Sequence, residues 1–212
     1  MRMRFKPYAH DELMAADFHV HEPLIWGGKW HAQYARPEQP FVLELGCGNG
    51  GVLLLLHAKA PAARLHGVEI MPACADLAKR NVRLNGLDRQ IEIFCTDARS
   101  FAPPASNKAL YDKYDKIVCN PPYAPAGSGR LSPVAERSAA IFQLHGDLED
   151  FIKISARLLK PEGRAFFVLP ASSAEQGVEA AAGCGLKLIK SETRREKRRP
   201  DKAITLLEFH KP

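Results

Sequence analysis

The chain contains the stretch FVLELGCGNGGVLLLLHAK at residues 41–59. Four of its first five residues, all except Glu44, are apolar, which predicts a buried strand. Glycines then crowd a short turn, where they let the backbone approach a ligand closely. An apolar helix is expected over Val52–Lys59. The stretch therefore indicates a strand, a glycine-rich turn and a helix in series.

The same alternation continues along the chain. Further strands are expected over Arg64–Glu69, Ile91–Cys95, Lys116–Cys119 and Ala165–Leu169. Helices are expected over Pro72–Leu84, from Asp147 to about Pro161–Gly163, and over a short segment that has a capping-box spacing at Ser172 and Glu175 and ends at Gly183. Such alternation predicts an α/β fold with an open, mainly parallel seven-stranded sheet and helices on both faces.

The last two strands, expected over Leu186–Glu192 and Ile204–Phe209, should form an antiparallel hairpin. The residues between them carry six cations and two anions, which predicts a charged loop. These residues are Arg194, Arg195, Glu196, Lys197, Arg198, Arg199, Asp201 and Lys202. Three more cations, Arg2, Arg4 and Lys6, lie at the start of the chain. Clustering of this kind favours a polyanionic partner, and a solvated loop is the alternative.

Composition limits the class of protein. The chain has 212 residues and is 46% hydrophobic, which suits one globular domain with a full core. No apolar run approaches the roughly 20 residues that span a bilayer, and no apolar stretch follows the basic N-terminus as in a secretory signal. The five cysteines show no CxxC pairing, so we expect reduced thiols, no zinc site and a cytoplasmic location. His19, His21 and His31 lack the partners of a metal site.

A second informative stretch is Asn120-Pro121-Pro122-Tyr123, directly after an expected strand. Two consecutive prolines fix two φ angles and remove two N–H donors, and the residue before a proline stays extended. The Asn120 side-chain oxygen and the Pro121 carbonyl can accept the two protons of a planar amine, on which Tyr123 would stack. A plain proline-rich turn is the alternative.

The glycine-rich turn and this elbow both follow strands, where ligands bind in open α/β sheets. Glu69 lies 21 residues after Gly48, where an acid can take both hydroxyls of a ribose. Because the glycines also satisfy the G-x-G-x-x-G fingerprint, a dehydrogenase is an alternative. Three features disfavour it: Glu44 can steer an ammonium group, Asp97 can meet an adenine amine, and the elbow offers no base for hydride chemistry.

Taken together, these residues resemble the class I S-adenosylmethionine-dependent methyltransferases, and within them the amino-methyltransferases with an NPPY motif. The resemblance covers about residues 41–210 and implies their Rossmann-like fold. Three further segments are similar to the bacterial tRNA1(Val) adenine-37 N6-methyltransferases. They lie at residues 4–18, at residues 136–160 and at residues 202–208. Glu44, where many members have Asp, and residues 19–30 depart from that family's pattern.

The resemblance implies S-adenosyl-L-methionine as cofactor and no metal. Its expected contacts are Glu44, Gly46, Cys47, Gly48, Asn49, Gly50, Glu69, Ile70, Asp97, Ala98 and Asn120. Asn120, Pro121, Pro122 and Tyr123 would hold the target nitrogen. Phosphates of an RNA would meet Arg4, Lys6, Arg194, Arg195, Arg198, Arg199 and Lys202. Residues 1–40 are expected to form a substrate-side extension and residues 41–212 the methyltransferase domain, in a monomer or a weak dimer.

The expected activity is methylation of an exocyclic amine of RNA, namely adenine N6 in tRNA. Three alternatives stay open. The first is ribosomal RNA, at adenine N6 or guanine N2. The second is a protein glutamine N5, although enzymes of that kind carry an N-terminal helical domain and only about 40 residues precede the glycines here. The third is a non-catalytic RNA-binding scaffold, for which an intact elbow is unnecessary.

Overall fold

A computed structural model describes residues 40–103, 114–122, 146–196 and 199–212. The strands are β1 (Phe41–Leu45), β2 (Arg64–Glu69), β3 (Ile91–Cys95), β4 (Tyr114–Cys119), β5 (Leu159–Pro170), β6 (Lys187–Glu196) and β7 (Arg199–His210). The helices are α1 (Gly51–Lys59), α2 (Pro72–Leu84), α3 (Leu148–Leu158) and α4 (Ala174–Gly183), and a 3-10 turn spans Ala171–Ser173. Within these ranges no helix is long and apolar enough to cross a membrane.

The seven strands form one sheet in the order β3-β2-β1-β4-β5-β7-β6. Strands β1 to β5 are parallel, whereas β7 runs antiparallel to both β5 and β6. This confirms the predicted α/β fold and its C-terminal antiparallel hairpin. The carboxyl ends of β1 to β5 meet along one side of the sheet, called here the carboxyl edge. Crevices at such edges bind ligands in open α/β sheets.

Two hydrophobic clusters cover the two faces of the sheet, because successive strand residues point to opposite sides. Val42 of β1 packs with residues of α1 and α2, whereas its neighbours Phe41 and Leu43 pack with residues of α3 and α4. All five residues of β1 are buried. A strand covered on both faces reads as a continuous apolar run, and this is how β1 is recognisable in the sequence.

Helix α3 begins as predicted at Asp147, whose side chain accepts from the Asp150 N–H at 2.9 Å in a capping box. Its predicted end was wrong, because the helix stops at Leu158 and Leu159 already starts β5. Pro161 holds the preceding residue away from the helical region, which ends the helix early. The fourth strand also begins earlier than predicted, at Tyr114.

The capping box predicted at Ser172 and Glu175 was wrong. Residues 171–173 form a 3-10 turn, and α4 begins at Ala174 without a side-chain cap from Ser173. The first turn of α4 packs closely against the sheet, because a Cβ on Gly177 would lie only 2.9 Å from Leu169 Cδ1 of β5. Long-range packing of this kind is not readable from a local motif.

The charged loop predicted between the last two strands was also wrong, because most of that run lies within the strands. The ladder between β6 and β7 continues through Arg194↔Ile204 and Arg195↔Ala203. Two interactions support it there. The Thr193 and Thr205 hydroxyls are hydrogen-bonded across the strands at 2.8 Å. Glu192 pairs with both Lys190 and Arg194, which reduces the repulsion between these cations.

An aromatic cluster packs on the face of the sheet that α3 and α4 cover. The His66 ring lies with its Nδ1 2.8 Å from the Tyr114 hydroxyl, and the Phe41 ring stacks on Tyr114 at a centroid distance of 4.4 Å. Phe94 lies 4.9 Å from the His66 ring. Burial, and to a lesser degree Arg64, lower the pKa of His66 to about 4. The imidazole is therefore neutral in the folded protein at physiological pH.

We expect acid to destabilise the protein through His66. The unfolded chain binds a proton at this residue near pH 6.5 and the folded chain only near pH 4, so stability is lost as the pH falls between these values. The full loss is about 3 kcal/mol. Urea unfolding of the wild type and of His66→Asn from pH 7 to pH 4 measures it, with His210→Asn as the control. Parallel curves for the wild type and His66→Asn would contradict this assignment.

Candidate cofactor and amine site

The glycine-rich turn after β1 forms a corner with room for a ligand. Gly46 and Gly48 adopt left-handed φ angles of 72° and 51°, and a Cβ at either position would meet nothing within 4 Å. Gly50 differs, because a Cβ there would lie 3.3 Å from the Ala78 Cβ on α2. Gly46 and Gly48 therefore leave open space, whereas Gly50 allows α2 to pack closely.

The corner is held from two sides. The N–H groups of Gly46 and Cys47 donate to the Val68 carbonyl at 2.9 and 3.1 Å. Asn81, fully buried on α2, donates through Nδ2 to the Asn49 carbonyl at 3.0 Å. Sequence reasoning missed Asn81, although a polar residue on the apolar side of an amphipathic helix is a signal for such a role.

Glu69, at the end of β2, ties the corner to the neighbouring strand. Its Oε2 accepts from the Gly48 N–H and its Oε1 from the Met71 N–H, both at 2.9 Å. The residue is 8% exposed. A carboxylate has about four acceptor positions, so both oxygens can take a further donor. Ile70, which follows it, is half-buried.

Two buried oxygens at adjacent strand ends have no hydrogen-bond partner within the part of the chain that the structure describes: Glu44 Oε2 and Asn120 Oδ1. Leu45 of β1 lies opposite Cys119 of β4, so Asn120 follows its strand beside the start of the glycine corner. Buried polar atoms are almost always hydrogen-bonded. Two unused acceptors at one edge therefore fit a ligand that brings its own N–H or O–H donors.

The environment of Glu44 favours its neutral form. The residue is 3% exposed, and burial is the main cause that raises the pKa of its carboxyl well above the ordinary value. The nearby Glu69 carboxylate adds to this shift. Burial is also the main cause that raises the pKa of the Cys47 and Cys119 thiols. The floor of the corner is thus an acidic group among neutral thiols.

We expect the cofactor-free protein to lose stability as the pH rises above about 4.5, through Glu44. The unfolded chain releases this proton near the ordinary pKa, whereas the folded chain keeps it to a higher pH. Urea unfolding at several pH values between 5 and 8 measures this, and Glu44→Gln should abolish that part of the decline. The exposed Glu175→Gln is the matched control. Equal pH dependence in the wild type and Glu44→Gln would show that Glu44 is ionised in the folded state.

Asp97, predicted to meet an adenine amine, lies two residues beyond β3. Its carboxylate is engaged by Arg99, whose Nε lies 3.0 Å from both oxygens and whose Nη2 lies 2.6 Å from Oδ2. A ligand amine would therefore share this carboxylate with Arg99, which lies two residues further along the chain. Ala98 packs against the hydrophobic cluster of α3 and α4.

The remaining predicted residues fall into three groups. Pro121 is buried and Pro122 half-buried, directly after Asn120. Arg194 and Arg195 are exposed on β6, four strands from β1 in the sheet, and Arg199 and Lys202 are described only as positions on β7. Tyr123, Arg4, Lys6 and Arg198 lie outside the described residues, as do residues 1–39 and the histidines at 19, 21 and 31.

An open groove of about 490 Å³ lies beside β3, at the end of the sheet. Its walls include Phe94, Thr96 and Phe101, and none of the residues predicted to contact the cofactor lines it. Among the described residues, no group of three His, Cys, Asp or Glu side chains could hold a metal ion.

Comparison with known proteins agrees with this arrangement. Residues 42–124, which contain the glycine corner and Asn120, match a family model described as a methyltransferase domain. The chain is similar in fold to a putative sarcosine dimethylglycine methyltransferase from Galdieria sulphuraria, with a TM-score of 0.64 at 17% identity over 98% of this chain and 92% of that one. Residues 42–124 are thus similar to a methyltransferase domain, and the fold of the chain is that of Rossmann-like methyltransferases.

Two curated proteins to which the chain is similar in sequence are both tRNA methyltransferases. The chain is 30% identical over 152 residues to the tRNA1(Val) (adenine(37)-N6)-methyltransferase of Aliivibrio fischeri, an alignment that covers 70% of this chain and 60% of the relative. It is 39% identical over 82 residues to the tRNA (guanine-N(7)-)-methyltransferase of Clostridium perfringens, covering 39% of this chain and 37% of the relative. The chain therefore spans about 60% of the length of the first relative. The predicted resemblance and the predicted cofactor, S-adenosylmethionine, are confirmed, and the dehydrogenase alternative is not supported.

Proposed function

We propose that the chain methylates an exocyclic amine of RNA, and specifically adenine N6 in a tRNA. The observation that carries this proposal is Asn120 Oδ1, which directly follows β4 beside the glycine corner and is buried with no partner among residues 40–103, 114–122, 146–196 and 199–212. An acceptor held there without a partner suits an incoming –NH2 group. The resemblance to the tRNA adenine-N6 enzyme supports adenine as the target.

The residues at the carboxyl edge fit the cofactor. Open space at Gly46 and Gly48, the unpartnered Glu44 oxygen and the Glu69 carboxylate match a ligand with a cationic amino-acid part and a ribose. S-adenosylmethionine supplies a methyl group already activated on a sulfonium. Glu44 would face its cationic part and Glu69 its ribose hydroxyls, while Asp97 would share its carboxylate between Arg99 and the adenine.

The chain's own task is to orient the amine. An exocyclic amine is a poor nucleophile, because its lone pair is delocalised into the ring. Asn120 Oδ1 and the Pro121 carbonyl would accept hydrogen bonds from its two N–H groups. These bonds would polarise the N–H groups and aim the nitrogen lone pair at the methyl group. A dedicated base is unnecessary in this scheme, since the proton can pass to water after transfer.

A base of a folded RNA has to leave its stack to reach this edge, at a cost of a few kcal/mol. Stacking on an aromatic ring restores roughly 1–3 kcal/mol, a role we propose for Tyr123. A nucleotide in a loop is already partly unstacked and costs less to extract. A tRNA loop is therefore a suitable source of the target adenine.

The test is methyl transfer from labelled S-adenosylmethionine to total tRNA, total ribosomal RNA and whole-cell protein, followed by nucleoside mass spectrometry. The expected product is N6-methyladenosine in tRNA. Label in ribosomal RNA would mean that the substrate is ribosomal RNA and not tRNA. 7-Methylguanosine in tRNA would mean that the target is guanine and not adenine. Label in protein alone would overturn the RNA substrate, and the absence of label despite cofactor binding would favour a scaffold.

A further inference from the structure

The β6–β7 hairpin reaches past the other strands at the carboxyl edge. The pairing of β5 with β7 ends at Pro170↔Ile204, whereas β6 and β7 stay paired through Glu196↔Arg199. Residues 194–196 of β6 and 199–204 of β7 are called here the arm. Because β7 runs antiparallel to β5, the residues before Ile204 lie beyond the end of β5 on the side where the glycine corner and Asn120 lie.

The register places the arm close to the proposed amine site. Cys119 lies opposite Phe167, so Asn120 is level with Val168, and Pro170 is two residues further along β5. Neighbouring strands are about 4.8 Å apart, so β6, three strands from β4, lies roughly 14 Å to the side of Asn120. The arm therefore lies at the same edge of the sheet as the site, three strands to its side, and projects further along the strand direction than Asn120.

The two arginines of β6 in the arm differ in their surroundings. Arg194 binds Glu192, whose Oε2 also lies 2.8 Å from the Lys190 Nζ, and these two cations lower the pKa of Glu192. Arg195 points to the opposite face of the hairpin, the face that carries Thr193. It is exposed and forms no ion pair within the described part of the chain. Among the described side chains, none compensates the charge of Arg195.

We infer that the arm grips the RNA backbone beside the methylated nucleotide, with Arg195 as its principal phosphate contact; this rests on the proposed RNA methyltransferase function. A base inserted at Asn120 brings its flanking phosphates to the same edge of the sheet. A guanidinium pairs with a phosphate through two parallel hydrogen bonds. Because Arg195 stands on a paired strand, its backbone is already ordered before RNA binds.

The test is the salt dependence of binding to a fluorescently labelled tRNA stem-loop, followed by anisotropy between 50 and 200 mM salt. Arg195→Gln should weaken binding about threefold to tenfold and reduce the slope of log K against log salt by about 0.7, the value for one phosphate on a single strand. Arg194→Gln should weaken binding less and change the slope less, because Glu192 already pairs with Arg194. Glu192→Gln should strengthen binding, because it releases Arg194 and Lys190.

Lys187→Gln is the matched control. This exposed residue starts β6 at the end of the hairpin far from the carboxyl edge, opposite His210. It should leave both affinity and slope unchanged, and all variants should bind S-adenosylhomocysteine like the wild type. Equal effects of Arg195→Gln and Lys187→Gln, or no effect of either, would overturn the arm as the contact. A wild type that binds S-adenosylhomocysteine but no RNA would overturn the proposed function itself.

Discussion

Replacing Asn120 with alanine should lower methyl transfer by roughly 10²–10³-fold, the usual cost of removing one oriented polar group from a reaction centre. Binding of S-adenosylhomocysteine should stay within a few-fold of the wild type. The reason is that Asn120 Oδ1, buried and without a partner among the described residues, is the acceptor that we propose for the amine and not for the cofactor. Single-turnover transfer to tRNA and calorimetry with S-adenosylhomocysteine measure the two quantities separately.

Two further readouts sharpen this test. Asn120→Asp keeps an acceptor oxygen at the same place and should retain more transfer than Asn120→Ala. Removing a buried acceptor that has no partner costs little stability, so Asn120→Ala should unfold at the same urea concentration as the wild type or a higher one. A large loss of cofactor affinity with preserved turnover would show that Asn120 serves the cofactor and not the substrate amine.

The sequence was sufficient for the order of elements and the class of site, because both depend on local patterns. Buried parallel strands appear as short apolar runs, and their ends are marked by the residues that a ligand site needs. The sequence alone could therefore place the glycines at 46, 48 and 50 and the acid at Glu69 at the carboxyl edge of the sheet. Parallel strands bring their carboxyl ends together, and this supplies the juxtaposition that the sequence does not state.

The contacts that fix the corner could not be predicted, because they join residues far apart in the chain. Asn81 reaches the Asn49 carbonyl across 32 positions. Gly67 lies inside β2, where a Cβ would come within 2.7 Å of the Cys47 sulfur. A glycine inside a strand signals close approach but not what approaches. The arm was missed for a related reason. The dense charge of these residues is typical of a loop, but they are paired across the two strands.

Replacing Glu69 with alanine should weaken S-adenosylhomocysteine binding by roughly 10²-fold. Hydrogen bonds to a charged group contribute about 1.5–3 kcal/mol each, and two bonds to a ribose at the low end of that range correspond to such a loss. The same change removes the acceptor of the Gly48 and Met71 N–H groups, so the glycine corner also loses its tie to β2. Calorimetric titration with S-adenosylhomocysteine measures the total effect.

The two causes can be separated with an analogue of S-adenosylhomocysteine that lacks both ribose hydroxyls. If Glu69 binds the ribose directly, the wild type should lose affinity for this analogue, whereas Glu69→Ala should bind the analogue and the parent compound about equally. Asp88→Asn, an exposed acid just before β3, is the control and should behave like the wild type. If Glu69→Ala still prefers the parent compound by the wild-type ratio, the carboxylate acts only by holding Gly48 in place. The ribose would then be bound by another residue, and the acid at the end of β2 would be a structural clamp of the corner.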